Sequence, residues 1–296
     1  MPYIHLYKDN RSMGTFDVPE HITSKARHIY KLKNVALGGG NGIVFNALRI
    51  EKNKTGSPCA IKMLRQQSAA RIDRFNNEVR IIKELSSPYI ATYHDDGEVS
   101  VTCQENTNET QKVRWLAMEL GGVNMRQHIE TKGPLQIKNL KTVVHDICES
   151  VKHLHDRDFI HRDIKPDNFV WKDRSEKSIM MIDFGIAKKI GEDVSARPLD
   201  TFTQITEFVG PVFFSSPELI EYAANKSHPV DQRSDIFQVG KVIWFLATGK
   251  ISAGVPSKRD CPANGRIRDL VVEMIDDDPD SRIQTLQEVQ RRLTEI

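Results

Sequence analysis

The densest grouping of chemically able residues is the run HRDIKPDN at 161–168, followed fifteen residues after Asn168 by DFG at 183–185. Asn168 and Asp183 are oxygen donors of the kind that suit a Mg²⁺ ion bridging phosphates. Asp163 is left free to orient a hydroxyl and accept its proton. Upstream, LGGGNGIV at 37–44 supplies glycines, which let a backbone approach a phosphate closely and present its N–H groups. Taken alone, such a segment is more often only the turn of a hairpin. Eighteen residues past Val44, CAIK places Lys62 in a strand, and Glu78 falls beside the apolar stripe of the next helix. Paired, the two would hold an ammonium on a nucleotide phosphate; unpaired, they are two surface charges.

Those groups need a scaffold to bring them together. Short strand-like runs dominate from Lys31 to Leu120: NVAL, IVFNALRI, PCAIKML, EVSVTC and VRWLAMEL, with NKTGS and ENTNET as polar hairpin turns. One helix interrupts them, roughly Ala70 to Ser86, with Ile72, Phe75, Val79, Ile82 and Leu85 on one stripe and Pro88 just beyond its end. Past Gly121 the pattern turns helical: Leu140, Val144, Ile147, Val151 and Leu154 recur at three and four residues. So do apolar positions in 236–246, 267–275 and 286–293. The sequence therefore predicts a small strand-rich lobe at 31–120 and a larger helical one at 121–296, joined near 119–123. Residues 1–30 carry no clear period and are read as an extension or cap; 248–265 is an irregular excursion.

The totals set bounds. With 296 residues the chain can bury a sizeable core, and 42 basic against 40 acidic residues leave no excess that would favour nucleic acid. The longest apolar run, around 242–247, is too short to span a bilayer, and the N-terminus is too polar for a secretory signal. A soluble, cytoplasmic protein without nucleic-acid or membrane partners is expected. Cys59, Cys103, Cys148 and Cys261 show no metal-binding spacing and are expected as buried thiols. HLHDRDFIHRD at 153–163 has three histidines and three aspartates, yet packing explains them better than a metal does: His153 and His155 end a helix, and His161 sits beside Asp183 and Phe184.

With SPE at 216–218, Asp235 in a D-x-F-x-x-G pattern and Arg282 after DDDPDS, the chain resembles a eukaryotic-type (Hanks-type) serine/threonine protein kinase over roughly residues 30–294. The resemblance implies an α+β, bilobal fold: a small antiparallel-sheet N-lobe with one main helix, and a larger helical C-lobe. It implies ATP and Mg²⁺ as cofactors and protein hydroxyls as acceptors. Lys62 would hold the α and β phosphates and pair with Glu78, Asp163 would be the catalytic base, and Lys165 would contact the γ-phosphate. Asn168 and Asp183 would bind Mg²⁺. Met118 resembles the gatekeeper and the backbone of Glu119 to Gly121 the adenine hinge. Leu37, Gly38, Gly39, Gly40, Gly42, Val44, Ala60 and Val170 complete the implied nucleotide-binding set. Glu218 and Arg282 would be a structural pair.

Three departures stand out. The glycines of 37–44 fit the family pattern in neither register without a shortened loop or a missing glycine. Pro211 replaces the threonine that usually follows the glycine in Ser/Thr kinases, and in that respect is similar to tyrosine kinases, whereas Lys165 is the Ser/Thr pattern. The interval between Asp235 and Arg282 leaves little room for the usual helix after TGK. Glu207 stands where the primary phosphorylated residue often sits and could attract Arg162, so weak dependence on activating phosphorylation is expected. Thr201, Thr203 and Thr206 remain candidate autophosphorylation sites. The rival readings are a pseudokinase-like scaffold, a small-molecule phosphotransferase, and a kinase with substantial tyrosine transfer.

Overall fold

Strand β6 (Lys54–Leu64) shows why the first half of the chain folds as a sheet. Cys59, Ile61 and Met63 alternate with Ala60 and Lys62, so the period of two sends one set into a hydrophobic core and the other to the opposite face. The computed structural model describes residues 1–9, 11–38, 42–51, 54–190, 211–225, 229–260 and 265–296. These form two compact units, Met1–Ser86 with Ala91–Leu120, and Ser87–Ile90 with Gly121–Ile296.

The first unit is an eight-stranded antiparallel sheet built from β1 (Tyr3–Lys8), β2 (Arg11–Asp17), β3 (His21–Thr23), β4 (Ile29–Gly38), β5 (Gly42–Glu51), β6, β7 (Tyr93–Cys103) and β8 (Thr110–Met118). Its order is β1-β2-β7-β8-β6-β5-β4-β3. The five expected strand runs fall in β4 to β8. The structure differs from the sequence reading at the N-terminus, where residues 1–30 do have a period. In β1, Ile4 and Leu6 are buried while Tyr3 and His5 face out. Ile4, Leu6, Phe16 and Val18 complete one core with Tyr30, Phe45, Ile61, Met63 and Trp115. Helix α1 (Ala69–Glu84) follows β6. Its buried face is turned from the expected stripe, with Phe75, Glu78, Ile81 and Ile82 inside and Ile72 and Val79 only half-buried. A carboxylate can take the central place because a cation meets it there.

The second unit is mainly helical: α2 (Met125–Lys132), α3 (Ile137–His155), α4 (Pro217–Ala224), α5 (Gln232–Thr248), α6 (Arg266–Met274) and α7 (Leu286–Thr294). Short strands β9 (Phe159–Ile160), β10 (Phe169–Trp171), β11 (Ile179–Met181) and β12 (Lys188–Lys189) pair as β10-β11 and β12-β9. The predicted stripes lie on α3, α5, α6 and α7. Helix α5 is buried along nearly its whole length, from Ser234 to Ala247. Between α5 and α6 the described residues hold a single 3-10 turn, Lys258–Asp260. Cys59, Cys103 and Cys148 are buried free thiols; Cys261 lies outside the described residues. Among the described residues no helix is long and apolar enough to cross a membrane.

Candidate active site

In the first unit, sheet register gathers the predicted residues. Val44 lies opposite Lys62, Lys62 opposite Leu116, and Ala60 opposite Met118, so Val44, Ala60, Lys62 and Met118 share the face away from the Ile61–Met63 core. Lys62 Nζ lies 2.6 and 2.8 Å from the two carboxylate oxygens of Glu78. The Glu78 side chain is only 4% exposed, so this is a desolvated pair whose single-partner loss is costly. The backbones of Leu37 and Gly38 pair with Val44 and Ile43. Gly39 and Gly40 lie outside the described residues. At Gly42 a Cβ would stand 3.2 Å from the Met63 carbonyl oxygen, tighter than an ordinary contact. Glu119 closes the end of β8 onto Thr92: its N–H donates to the Thr92 carbonyl, and its carboxylate accepts from the Thr92 N–H and hydroxyl at 3.1 and 2.8 Å.

In the second unit, Asp163 stands on a loop between β9 and a 3-10 turn, Pro166–Asn168, and α5 holds that loop by its backbone. The Asp235 carboxylate, with no exposed surface, accepts from the N–H of His161 (2.8 Å), the N–H of Arg162 (2.9 Å) and His155 Nε2 (2.8 Å). One helical turn on, Gln238 accepts from the Ile164 N–H and donates to the Arg162 carbonyl. Burial pushes the Asp235 pKa up, but these donors outweigh it and leave it below the usual carboxylate range. Arg162 takes a left-handed backbone (φ +66°), a conformation that surrounding bonds must enforce for a non-glycine residue. Its guanidinium, buried, donates to the Ile186 carbonyl and lies over the Tyr222 ring. Glu207, its expected partner, lies outside the described residues, as do Thr201, Thr203 and Thr206.

The chain so held presents Asp163 with Lys165 Nζ at 2.7 and 3.0 Å from its oxygens. Burial drives the Lys165 pKa down; Asp163, Asp183 and Asp167 more than offset this and leave it raised, so the ammonium stays charged. Asn168 donates its amide N–H to the Asp163 carbonyl at 2.7 Å, which turns Oδ1 away as a remaining oxygen donor. The Ile182 N–H donates to the Asn168 carbonyl, and Asp183 Oδ1 accepts from the Gly185 N–H. Asn168 and Asp183 are thus tied into one local frame, and an amide oxygen with a carboxylate is a donor set that fits Mg²⁺. His161 accepts from the Asp163 N–H and its ring lies 5.8 Å from that of Phe184; His155 closes α3 on Asp235.

Gly121 and Val170 meet in the second unit. A Cβ at 121 would lie 2.3 Å from Val170 Cγ2, so only glycine fits against the β10–β11 pair. Glu218 and Arg282 form a buried two-bond pair at 2.7 and 2.8 Å. Pro211 opens a 3-10 turn, Pro211–Phe214. Two supports escape sequence reasoning. Gln238 is legible only as a polar residue three after Asp235 in the largely apolar middle of α5. Arg126, whose Nε bonds both oxygens of Asp167, braces α2 against the turn that carries Asn168, without any local sequence signal.

A family model described as the protein kinase domain matches residues 32–293. The chain is 25% identical to the serine/threonine-protein kinase PknB of Mycolicibacterium smegmatis and 26% identical to PknB of Mycobacterium tuberculosis. In both cases 94% of this chain and 44% of the relative are covered. It is 31% identical to a probable serine/threonine-protein kinase PknB of Corynebacterium glutamicum over 75% of this chain and 31% of that one. The chain spans less than half the length of these curated relatives.

Proposed function

The chain belongs to the protein kinase domain family, and from that premise we propose that it transfers the γ-phosphoryl group of ATP to serine and threonine hydroxyls of proteins. The observation that carries this reading is the loop fixed on Asp235 and Gln238, which holds Asp163 against Lys165 with Asn168 bonded to the Asp163 backbone. The acceptor hydroxyl oxygen forms a bond to the γ-phosphorus as the bond to the ADP oxygen breaks. Asp163 orients the hydroxyl and takes its proton. Lys165 offsets charge on the transferring group, and Lys62, fixed by Glu78, holds the α and β phosphates. Asn168 and Asp183 would hold Mg²⁺, which supplies charge neutralisation across the phosphates. Leu37, Gly38, Gly39, Gly40, Gly42, Val44, Ala60, Met118, Glu119, Gly121 and Val170 are the residues proposed to bind the nucleotide. Since transfer of this kind passes through a loose transition state, position and charge carry most of the rate.

Protein substrates follow from this reading, with Thr201, Thr203 and Thr206 as autophosphorylation sites. The relatives' names, serine/threonine-protein kinase, support the acceptor class, and Lys165 does so from this chain's own residues. Phosphoamino-acid analysis of products formed with labelled ATP and Mg²⁺, with Asp163→Asn as control, tests it. Phosphoserine and phosphothreonine are expected; predominant phosphotyrosine would show that Pro211 is the better guide, and no product at all would return the chain to a scaffold.

A further inference from the structure

Glu78 rides on α1, and only Arg65, Gln66 and Gln67 separate the end of β6, two residues beyond Lys62, from the N-cap Ser68. Little in the helix itself fixes where it starts. Ser68 makes no side-chain capping bond and the first turn has no acidic residue, so neither of the usual N-terminal anchors is in use.

The linker is held from the far end of the sequence. The Tyr7 N–H donates to the Arg65 carbonyl at 3.0 Å, and the Gln67 N–H donates to the Tyr7 carbonyl at 2.7 Å. Together they make a parallel bridge between β1 and Gln66. Arg65 adds a grip of its own: Nε donates to the His5 carbonyl at 3.1 Å, Nη2 to the Tyr7 hydroxyl at 3.3 Å, and the guanidinium lies 5.1 Å from the centre of the Tyr7 ring. The hairpin making this grip is itself immobilised. Ile4, Leu6, Phe16 and Val18 have no exposed surface, and β2 pairs with β7 at Phe16–Cys103 and Asp17–Thr102. Its register shifts between Leu6 and Tyr7, opposite Gly14, whose φ of +112° suits glycine alone. A bulge re-aims the strand that follows it, and here the next residue is the one that holds the linker.

We propose that the β1–β2 hairpin is a positioning clasp for phosphoryl transfer, in which Tyr7 and Arg65 fix the 65–67 linker and so hold Glu78 on Lys62. The proposal rests on the role given above to that ion pair. Tyr7 and Arg65 touch no reacting atom; they act through Glu78. Bonds of 2.6 and 2.8 Å tolerate little displacement, and a linker freed at its middle loses an anchor at the N-terminal end of α1, while the ion pair of Lys83 with Asp96 holds the opposite end. Residues 1–18 would then set the activity of the site as well as cover the core.

The test uses the full chain. Tyr7→Pro deletes the N–H directed at the linker, at an edge position where proline removes no bond to β2; Tyr7→Phe deletes only the hydroxyl. Tyr7→Pro should lower kcat/KM by about ten- to a hundredfold, the scale of a small misplacement of a catalytic group, and Tyr7→Phe by no more than about twofold. In a Glu78→Gln background Tyr7→Pro should add nothing further, because both changes break the same contact; a merely destabilising change would multiply. Folded Tyr7→Pro enzyme at wild-type kcat/KM, or multiplying effects, overturns the clasp. Should Tyr7→Pro fail to fold, Arg65→Met, which removes the bonds to His5 and Tyr7, must show the same loss and the same non-additivity, and wild-type activity there overturns the proposal. If Glu78→Gln alone keeps wild-type activity, the reading of the ion pair falls, and the clasp with it.

Discussion

The loop that carries Asp163 and the helix that carries Glu78 are secured in different ways. The loop's backbone at 161, 162 and 164 is bonded to Asp235 and Gln238, side chains buried on a helix that is itself core from Ser234 to Ala247. Every one of those bonds lies inside the second unit. Helix α1 has no side-chain N-cap; Glu78 on it pairs with Lys62, and a three-residue linker fastened to the first strand of the chain leads into it. Buried hydrogen bonds to a carboxylate and an amide hold a loop in one geometry, here even with His161 Nε2 buried and without a bond of its own, whereas elements with few buried contacts open at low cost. The half for which proton acceptance is proposed is therefore built to be constant, and the half proposed to hold phosphate to be adjustable.

Breaking the constant half should have the largest effect. Asp235→Ala leaves two backbone N–H groups and His155 without their acceptor, and a stability loss of about 3–5 kcal/mol is expected, the scale for stripping one partner from a buried charged network. Chemical denaturation measures it; a loss below about 1 kcal/mol, the level of an ordinary hydrogen bond, would mean that the loop is held elsewhere. The same residue sets a pH limb. Its folded pKa is depressed, so its contribution is present above the unfolded aspartate value, about 3.9, and is lost as pH falls through the folded value. The steepness of acid unfolding below about pH 4 should be reduced in Asp235→Ala, and an unchanged profile would reassign that limb to other carboxylates.

A smaller effect should appear in the adjustable half. Glu78→Gln should cut kcat/KM by about ten- to a hundredfold while circular dichroism and the unfolding of the second unit stay as in wild type; equal loss of structure in both units would erase the distinction. Smallest is a chemical signature. Burial pushes the Cys59 thiol up to about 11 and Cys148 higher, so native enzyme should react sluggishly with a thiol reagent at neutral pH. Cys59 lies in the core that the β1–β2 hairpin covers, and Cys148 in α3. Tyr7→Pro should therefore speed modification of Cys59 and leave Cys148 unchanged, as mapped by peptide mass spectrometry. Equal acceleration at both would indicate global opening.

The legible and illegible parts divide along the same line. Strands β4 to β8 and helices α3, α5, α6 and α7 show in the sequence because apolar residues recur at the period of the element and face a core of their own unit. Asp163, Lys165, Asn168 and Asp183 show because their spacing is short and local. Strands β1 to β3 do not show, since Tyr3, His5 and Tyr7 put large rings on the outward positions of β1 and blur the alternation of Ile4 and Leu6. The grip of Tyr7 on 65–67, the bond of Gln238 to Ile164 and the pairing of Arg126 with Asp167 join residues some forty to seventy-five apart. No period within either segment encodes such a meeting. The burial of Glu78 in place of Val79 follows from Lys62 on another element, which a stripe read along α1 alone does not contain.

Asp163→Asn tests the central claim most directly, since it keeps the shape of the side chain and removes the proposed proton acceptor. Phosphorylation of a protein substrate with ATP and Mg²⁺ should fall by about 10² to 10⁴-fold, the range for loss of a positioned general base, with the thermal unfolding midpoint near that of wild type. A folded Asp163→Asn protein that retains more than about a tenth of wild-type transfer, well outside that range, would contradict the assignment of Asp163 and the mechanism built on it.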